Sequence, residues 1–226
     1  MRMKVVAVVS SFEEEPYVGD TVRSLLSIDG VEEVLVVDDG STDRTTDAAI
    51  DAGARVIVNS PNLGKGNSLN RVLPNLDFDV LLLIDGDLGR SAAEARLFLE
   101  PVLAGEADLA IAAFPPPRVK GGLGLAQGVA RHGIESLTGR KMVSPLSGQR
   151  ALTREVYSRV SPLAGGFGVE VGVTVDAVLS GFRVVEVETN MSHRETGRDF
   201  HGFMHRGGQF ADILGVLAKR SLKRGR

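Results

Sequence analysis

The sequence predicts an α/β fold built on a mostly parallel, twisted sheet with helices on both faces. Three observations support this prediction. Apolar runs rich in Val, Leu and Ile recur along the first half without the alternation of half-exposed strands, which indicates strands buried on both faces. Segments of helical spacing separate these runs, as crossover connections between parallel strands require. The 226 residues, 43% of them hydrophobic, suffice for one core with an appended C-terminal segment.

The first half alternates predicted strands with predicted helices. The strands are the apolar runs at residues 5–9, 34–37, 55–58 and 80–84. The helices between them are predicted at residues 18–27, 45–52 and 66–73. A helix at 91–103 and a strand at 108–113 complete this half.

The regular rhythm stops after the fifth predicted strand. Three consecutive prolines occupy 115–117 and a glycine-rich stretch spans 120–128, which we interpret as a flexible crossing into the second half. The second half is predicted to contain helices at 127–137 and 169–179, a strand region at 146–152, a strand at 183–187 and a helical pattern from Gly202 onward. The predicted divisions are therefore 1–113, 114–202 and 203–226.

Composition excludes several classes of function. A formal net charge of -3 gives no electrostatic reason to bind nucleic acid. The absence of cysteine excludes disulfides and thiolate metal sites, and it fits a cytoplasmic location. The apolar run at 5–9 is short and is followed by glutamates, unlike a signal peptide. No run approaches the roughly 20 apolar residues of a membrane-spanning helix.

The sharpest chemical motif is Asp85-Gly86-Asp87, which directly follows a predicted buried strand. Ligands bind outside the carboxyl ends of the strands in open α/β sheets, so both carboxylates lie where a site is expected. Two acidic side chains on a tight glycine turn can hold a hard divalent cation, which neutralises a pyrophosphate. The same triplet also serves as a plain turn, so its position after the strand carries the functional interpretation.

Two further motifs follow other predicted strands. Asp38 and Asp39 end the second strand, where carboxylates can accept hydrogen bonds from a base and from ribose hydroxyls. Asp43 is instead typical of a helix cap. Lys65 lies between two glycines that let the backbone approach a ligand, and its ammonium group suits phosphate.

The order of these motifs resembles family 2 glycosyltransferases with the GT-A fold, over nearly the whole chain. The resemblance implies a nucleotide-binding half followed by an acceptor half. Residues 11–15 and 18–25 resemble the opening motif of that family, with Ser11 and Glu14 at the donor nucleoside. Ser10 and Glu13 depart from the proline and asparagine that are usual there.

The same resemblance implies a role for each acidic motif. Asp38 would contact the uracil and Lys65 the donor phosphates, while Asp87 would hold the metal and Asp85 would lie close to the sugar. Asp39 and Gly86 complete the implied donor-binding set. The donor is expected to be a UDP-sugar or another nucleoside diphosphate sugar.

The second half resembles glucosyl-3-phosphoglycerate synthases. The matching segments are residues 147–151, residues 166–172, and His193 followed by Arg194. The resemblance implies that His193 completes a Mg²⁺ or Mn²⁺ site with Asp87, an imidazole–carboxylate pair that suits Mn²⁺. It also implies acceptor contacts from Gly148, Gln149, Arg150 and Arg194.

The acceptor has two candidate classes. Residues 121–126 lack the arginine and threonine that those synthases present to the acceptor phosphate. A small phosphorylated molecule such as phosphoglycerate is one candidate, and a polyprenyl phosphate, used by other family 2 transferases, is the other. Glu170 is the candidate general base if the reaction inverts the anomeric centre, and it positions the sugar or acceptor if configuration is retained. A helix-start carboxylate favoured by the macrodipole is the simpler alternative for Glu170.

The C-terminal region supports several further hypotheses. Residues 194–206 combine basic and aromatic side chains, and they form either a loop closing over phosphates or an ordinary solvated helix. The basic tail suits an amphipathic helix on an anionic membrane, or a frayed end. The resemblance suggests a homodimer. Two other classes stay open, a nucleotidyltransferase and a non-catalytic module that binds a nucleotide-sugar.

Overall fold

Seven strands form one mixed sheet in the computed structural model, which describes residues 3–114, 123–192 and 212–222. In chain order the strands are β1 (Val5–Ser11), β2 (Val31–Asp38), β3 (Arg55–Val58), β4 (Val80–Asp85), β5 (Leu109–Ala113), β6 (Arg150–Thr153) and β7 (Val184–Glu188). Their order across the sheet is β3-β2-β1-β4-β6-β5-β7. The predicted α/β architecture is confirmed.

Helices cover both faces of this sheet. They are α1 (Glu15–Leu26), α2 (Thr45–Asp51), α3 (Lys65–Val72), α4 (Ala95–Leu103), α5 (Leu123–Thr138), α6 (Arg154–Val160), α7 (Val169–Leu179) and α8 (212–222). Short 3₁₀ segments occupy Leu73–Asn75, Gly86–Glu94 and Gly166–Gly168. Each face of the sheet has its own apolar core, one with α1, α2 and α4 and the other with α3 and α5 to α8.

The strands of the first half are buried on both sides. In β1, Val6 and Val8 belong to one core and Val5 and Val9 to the other, and all four are 0% exposed. A strand between two layers of helices needs apolar residues at every position, which explains the continuous runs in the sequence.

The register of the sheet fixes where the polar ends of the strands lie. In the parallel pairs, Ser11 of β1 is opposite Asp38 of β2, and Ser10 is opposite Asp85 of β4. β6 runs antiparallel between β4 and β5, with Arg150 opposite Leu83. The start of β6 therefore adjoins the end of β4. The other four pairings are parallel, so the mostly parallel sheet is also confirmed.

Several predicted boundaries are wrong. The helix predicted at 91–103 is α-helical only from Ala95, and residues 91–94 belong to a 3₁₀ segment that is kinked further back, at Gly89, where φ is 52°. α5 begins at Leu123, within the stretch predicted as a flexible crossing. The strand region predicted at 146–152 narrows to β6, and residues before it form a loop. α6 was not predicted. The proline run at 115–117 lies outside the described residues.

The division of the chain at 113/114 stays a prediction. That boundary falls at the end of β5, but the sheet continues through β6 and β7 of the second half. Both apolar cores also draw residues from the two halves.

α8 packs on the second half of the protein. Ile213 and Val216 are 1% and 7% exposed and belong to the core around α7. The Arg220 guanidinium pairs with the Asp176 carboxylate of α7. Of the apolar residues predicted to face a membrane, Ile213 and Leu217 therefore pack against the protein and Leu214 is exposed, while Phe210 lies outside the described residues. No helix in the described ranges is both long and apolar enough to span a membrane. Residues 223–226 of the basic tail lie outside these ranges.

Candidate active site

Polar residues gather at the edge of the sheet where β1, β2 and β4 end. Ser11 ends β1, Asp38 ends β2 and Asp85 ends β4. α3 and α7 also begin at this edge, with Lys65 as the first residue of α3 and Glu170 as the second of α7. This is the position where open α/β sheets bind their ligands.

A lysine held between two carboxylates forms the centre of this edge. Lys65 Nζ lies 2.6 Å from Asp85 Oδ1 and 2.9 Å from Glu170 Oε1. Burial by itself would lower the pKa of Lys65, but the two carboxylates outweigh it and raise the pKa above its ordinary value. Lys65 is therefore a fixed positive charge, and it joins the first half of the chain to the second.

Backbone packing brings Lys65 and Glu170 together. A Cβ at Gly66 would lie 2.2 Å from the carbonyl oxygen of Ala164, so only glycine lets α3 approach this turn so closely. One turn further along α3, Asn70 Nδ2 donates to the carbonyl of Leu163, and Leu163 N donates back to Asn70 Oδ1. The start of α3 is thus locked against the turn that leads into α7.

The loop before β6 covers the other side of Asp85. The Gln149 side chain accepts from Asp85 N at 2.9 Å and donates from Nε2 to Asp85 Oδ2 at 2.8 Å. A Cβ at Gly148 would lie 2.5 Å from Asp85 Oδ2 and 2.6 Å from Lys65 Nζ. Gly148 and Gln149, both predicted in the acceptor set, therefore contact the residues predicted for the donor.

A second acidic group adjoins the first. Ser11 Oγ donates to Glu14 Oε2 at 3.0 Å, and a Cβ at Gly86 would lie 2.0 Å from the same Glu14 oxygen. Burial, with the nearby carboxylates of Asp87 and Asp85, raises the pKa of Glu14 from 4.5 to about 8, against the hydrogen bond from Ser11. Three carboxyl groups, of Glu14, Asp85 and Asp87, are thus concentrated around Gly86.

This group has the donor chemistry of a hard cation site. Glu14, Asp85 and Asp87 offer carboxylate oxygens, which Mg²⁺ and Mn²⁺ favour. Burial and repulsion from Asp87 and Asp85 together raise the pKa of Glu14, and a divalent cation would offset the repulsion. Within the described part of the chain, no three His, Cys, Asp or Glu residues are placed to hold a metal ion by themselves. The predicted ligand His193 lies outside those residues, so the ligand set stays a prediction.

The acidic residues after β2 organise the neighbouring loops. Asp38 is 0% exposed, and its carboxylate accepts hydrogen bonds from Ser41 and Thr46. Asp43 accepts from Thr45 N, at the first residue of α2, and from Glu15 N, at the first residue of α1, although the N-cap position predicted for Asp43 is taken by Arg44.

Asp39 holds the loop that precedes α3. Its carboxylate accepts from the backbone N–H groups of Leu63 and Gly64 and from the side chains of Asn59 and Ser68. Burial opposes ionisation, but these four hydrogen bonds prevail and lower the pKa of Asp39. Asp39 thereby fixes the position of the loop that leads to Lys65. Contacts of Asp38 or Asp39 with a nucleoside stay predictions.

The remaining predicted residues lie apart from this cluster or outside the described ranges. Arg150 is 1% exposed and lies beneath the 147–149 loop, where it bonds Ser147 and Thr174. Arg194 and the rest of the 194–206 segment lie outside the described residues. The structure thus brings together Ser11, Glu14, Lys65, Asp85, Gly86, Gly148, Gln149 and Glu170.

Sequence reasoning missed the residues that support this cluster. Asn59 and Ser68 bond Asp39, Asn70 locks α3 to the second half, and Thr174 links Arg150 to α7. They are ordinary polar residues in helices or loops, and no local motif marks them. Only the close approach at Gly66 had a signal, the paired glycines around Lys65.

Comparison with known proteins identifies similar chains. The family described as Glycosyl transferase family 2 matches residues 6–153. The Glycosyltransferase AglJ of Haloferax volcanii is 30% identical over 175 residues, which cover 76% of this chain and 57% of that protein. The glucosyl-3-phosphoglycerate synthase of Mycolicibacterium paratuberculosis is 32% identical over 192 residues, which cover 75% of this chain and 58% of that protein. The chain therefore spans less than two thirds of the length of either relative.

A solved structure shares the fold. The crystal structure of glucosyl-3-phosphoglycerate synthase from Mycobacterium tuberculosis, in complex with Mn²⁺, UDP-glucose and phosphoglyceric acid, superposes with a TM-score of 0.77 at 28% identity. The superposition covers 96% of this chain and 80% of that chain. The fold expected from the resemblance is thereby confirmed across both halves.

Proposed function

The chain belongs to glycosyl transferase family 2, and from this premise we propose that it is a metal-dependent glycosyltransferase. The proposed reaction moves a sugar from a UDP-sugar, or another nucleoside diphosphate sugar, to a phosphorylated acceptor. The main observation in support is that Lys65 Nζ lies 2.6 Å from Asp85 Oδ1 and 2.9 Å from Glu170 Oε1. This cluster adjoins the carboxyl groups around Gly86. Fixed charges of both signs at a strand-end crevice suit a transition state in which the sugar becomes cationic and the departing diphosphate gains negative charge.

The first half supplies the donor contacts in this proposal. Lys65 offsets charge that develops on the departing diphosphate, and its fixed position means that little reorganisation is needed. Asp87 and His193 would hold a divalent cation, which when bound neutralises the same leaving group. Ser11, Glu14, Asp38 and Asp39 bind or shape the nucleoside pocket, and Asp85 and Gly86 lie against the sugar.

Glu170 faces the sugar from the second half. Its ion pair with Lys65 holds the carboxylate beside Asp85, close to where the sugar is proposed to bind. If the reaction inverts the anomeric centre, Glu170 takes the proton of an acceptor hydroxyl. If configuration is retained, Glu170 positions the sugar or the acceptor hydroxyl. Glu170 does lie in the first turn of α7, but the helix-start alternative by itself does not account for the ion pair between its carboxylate and Lys65.

A small phosphorylated acceptor is favoured over a polyprenyl phosphate. The relatives of known name include glucosyl-3-phosphoglycerate synthases, and one solved neighbour holds phosphoglyceric acid. The membrane surface expected for a lipid acceptor loses support because the buried side chains of α8 pack into the core. Gly148, Gln149 and Arg194 are the proposed acceptor-side residues, and Arg150 lies beneath the 147–149 loop.

The proposed function is tested first by binding and then by turnover. We expect UDP-glucose with Mn²⁺ or Mg²⁺ to raise the melting temperature in a panel of nucleotide-sugars, because ligands that bind the folded state stabilise it. Transfer is then measured to 3-phosphoglycerate and, separately, to a short polyprenyl phosphate. Failure of every donor to bind would contradict the proposal. A donor that binds without transfer or hydrolysis would indicate the non-catalytic module, and nucleotidyl transfer would indicate the other class.

Replacing Asp87 tests the metal assignment. We expect Asp87→Ala to lower kcat by about 10²-fold or more, because stabilisation of the leaving group is lost. The melting temperature of the metal-free protein should change little. The exposed Asp51 at the end of α2 provides the control, since Asp51→Ala removes a carboxylate far from the site. Full activity of Asp87→Ala would remove Asp87 from the metal site.

A further inference from the structure

Arg150 is the largest fully buried side chain in the described part of the chain, at 1% exposure. A buried charge is costly unless it is paired and hydrogen-bonded, so its place in the core needs a reason. An arginine that contacts an acceptor directly would have to reach the surface of the crevice. The 147–149 loop lies between Arg150 and Lys65 instead.

The guanidinium joins two segments that carry the site. Arg150 Nε donates to the carbonyl of Ser147 at 2.8 Å, and Nη1 donates to Thr174 Oγ1 at 2.9 Å. Thr174 Oγ1 in turn donates to the carbonyl of Glu170, one helical turn earlier on α7. Arg150 therefore connects the loop before β6 to the turn of α7 that bears Glu170.

The 147–149 loop and α7 each also contact the cluster of Asp85, Lys65 and Glu170. On the loop side, Gln149 makes two hydrogen bonds with Asp85. On the α7 side, Glu170 pairs with Lys65, which pairs with Asp85. The contacts thus form a closed circuit from Arg150 through the loop, the cluster and α7 back to Arg150.

The guanidinium of Arg150 also offsets negative charge near the cluster. The carboxylates of Asp85 and Glu170 outnumber the single positive charge of Lys65, and the guanidinium of Arg150 offsets part of the excess negative charge. Burial lowers the pKa of Arg150 to about 10, against the nearby carboxylates of Glu170, Glu186 and Asp85, so it stays cationic at neutral pH. Arg150 Nη2 has no hydrogen-bond partner among residues 3–114, 123–192 and 212–222. Such incomplete bonding favours a role in specificity over one in stability.

We propose that Arg150 is a positioning residue, which ties the 147–149 loop to α7 and so fixes Asp85, Lys65 and Glu170 relative to one another. It acts on the charged cluster through the loop and the helix that it holds, without contacting the acceptor. The kinetic part of its test rests on the proposed function, whereas the structural part does not.

The test compares Arg150→Met, Arg150→Lys and the control Arg154→Met. Arg154 also bonds backbone carbonyls, of Phe78 and Leu76, and its guanidinium lies 4.2 Å above the Phe78 ring, away from the cluster. All assays are run below the melting temperatures of the variants. We expect Arg150→Met to lower kcat by about 100-fold with little change in either KM, because misplaced catalytic groups cost rates of that order.

The two other variants separate positioning from stability. Arg150→Lys should recover part of kcat, because it keeps the charge but cannot span Ser147 and Thr174 with a rigid fork. Arg154→Met should lower the melting temperature and leave kcat unchanged. Equal losses of kcat in Arg150→Met and Arg154→Met would overturn the proposal. A rise confined to the acceptor KM in Arg150→Met would also overturn it, in favour of direct acceptor contact.

A crystal structure of Arg150→Met provides the readout that does not need activity. The proposal expects the Lys65–Glu170 distance, 2.9 Å here, to lengthen or the 147–149 loop to move from Asp85. Unchanged geometry at both places would contradict it. A wild-type protein that transfers no sugar would refute the proposed function, and the crystal structure would still decide the role of Arg150.

Discussion

A single carboxylate, Asp39, fixes the loop that carries the central lysine. It accepts hydrogen bonds from Leu63 and Gly64 at 2.9 and 2.7 Å and from two side chains. Gly64, in the left-handed region at φ 79°, then turns the chain into α3. The position of Lys65 in the crevice therefore depends on a residue that the family resemblance assigns to donor binding.

Asp39 should make the stability of the protein sensitive to acid. Folding lowers the pKa of Asp39 below its ordinary value of 3.8. The stabilisation that the ionised carboxylate contributes is therefore complete above pH 3.8, and it is lost as the pH falls through the pKa of the folded state. We expect Asp39→Asn to reduce the free energy of unfolding by about 1–3 kcal/mol at pH 7, because the amide keeps only one of the two acceptor oxygens and turns its NH₂ group toward a buried donor. Urea unfolding at pH 7 and pH 3 measures the difference.

The control is Asp77→Asn, whose side chain is 86% exposed in its pair with Lys4. An exposed pair of this kind contributes about 0–1 kcal/mol. The difference between wild type and Asp39→Asn should shrink at pH 3. A difference that is equal at both pH values would rule out the ionised form of Asp39 as the cause.

Sequence patterns predict the residues of the candidate site better than they predict the residues that hold those side chains in place. Asp38, Asp85 and Asp87 could be identified because each follows an apolar run that predicts a buried strand. Glu13 has φ 57° where the family resemblance expects asparagine, which adopts this conformation more readily. Hydrogen bonds from Glu13 N to Ser41 and from Thr42 to the Glu13 carboxylate hold it there. Such long-range compensation has no local signal.

At the scale of elements, the site depends on how closely α3 approaches the turn before α7. Gly66 contacts the Ala164–Gly165 backbone, and Asn70 pairs with the backbone of Leu163. The first residue of α3 and the second of α7 can then form an ion pair. Because the two helices are distant in sequence, their packing sets the geometry of the cluster.

Gly66→Ala should disrupt this packing. The new Cβ would lie 2.2 Å from the Ala164 oxygen and 3.0 Å from Gly165 Cα, so backbone must move. We expect a loss of about 1–3 kcal/mol in unfolding free energy and weaker donor binding by calorimetry. Gly128→Ala is the matched control, since nothing lies within 4 Å of its Cβ and alanine favours a helix. A Gly66→Ala variant as stable as Gly128→Ala, with normal donor binding, would contradict this interpretation of the packing.

The elements themselves were predicted well where periodicity was strong and less well elsewhere. β3 and α7 have the predicted bounds, whereas α6 was overlooked although Thr153 caps it by accepting from Val156 N. The helix predicted at 91–103 shows a second limit, since its first four residues belong to the 3₁₀ segment Gly86–Glu94 and only Ala95–Leu103 is α-helical. Helix caps and kinks depend on one or two residues, and a window of average periodicity does not resolve them.

At the scale of the whole molecule, α8 is part of the second core. Ile213 is 1% exposed, and Leu217 lies so close to α5 that a Cβ at Gly133 would approach its Cδ1 to 2.3 Å. The sequence predicts that this segment is amphipathic, but it does not predict whether its apolar side packs on a membrane or on the protein. Only the tertiary structure distinguishes a membrane from the face of another helix.

Ile213→Ala should therefore act on stability. We expect it to lower the unfolding free energy by about 2–5 kcal/mol, as buried Ile-to-Ala changes do, with no change in sedimentation with anionic liposomes. Leu222→Ala is the control, because Leu222 is 75% exposed. A small change in stability together with reduced liposome binding would favour the membrane surface over the core.

The reversed direction of β6 has a practical consequence for changing which acceptor is used. In the parallel strands, the loop that reaches the site follows the strand. β6 is antiparallel to β4, so the loop that reaches Asp85, residues 147–149, precedes the strand. A graft that exchanges the segment after β6 would alter α6, at the opposite edge of the sheet. Segments transplanted from another transferase should therefore end at Arg150, so that the incoming loop keeps its buried tether.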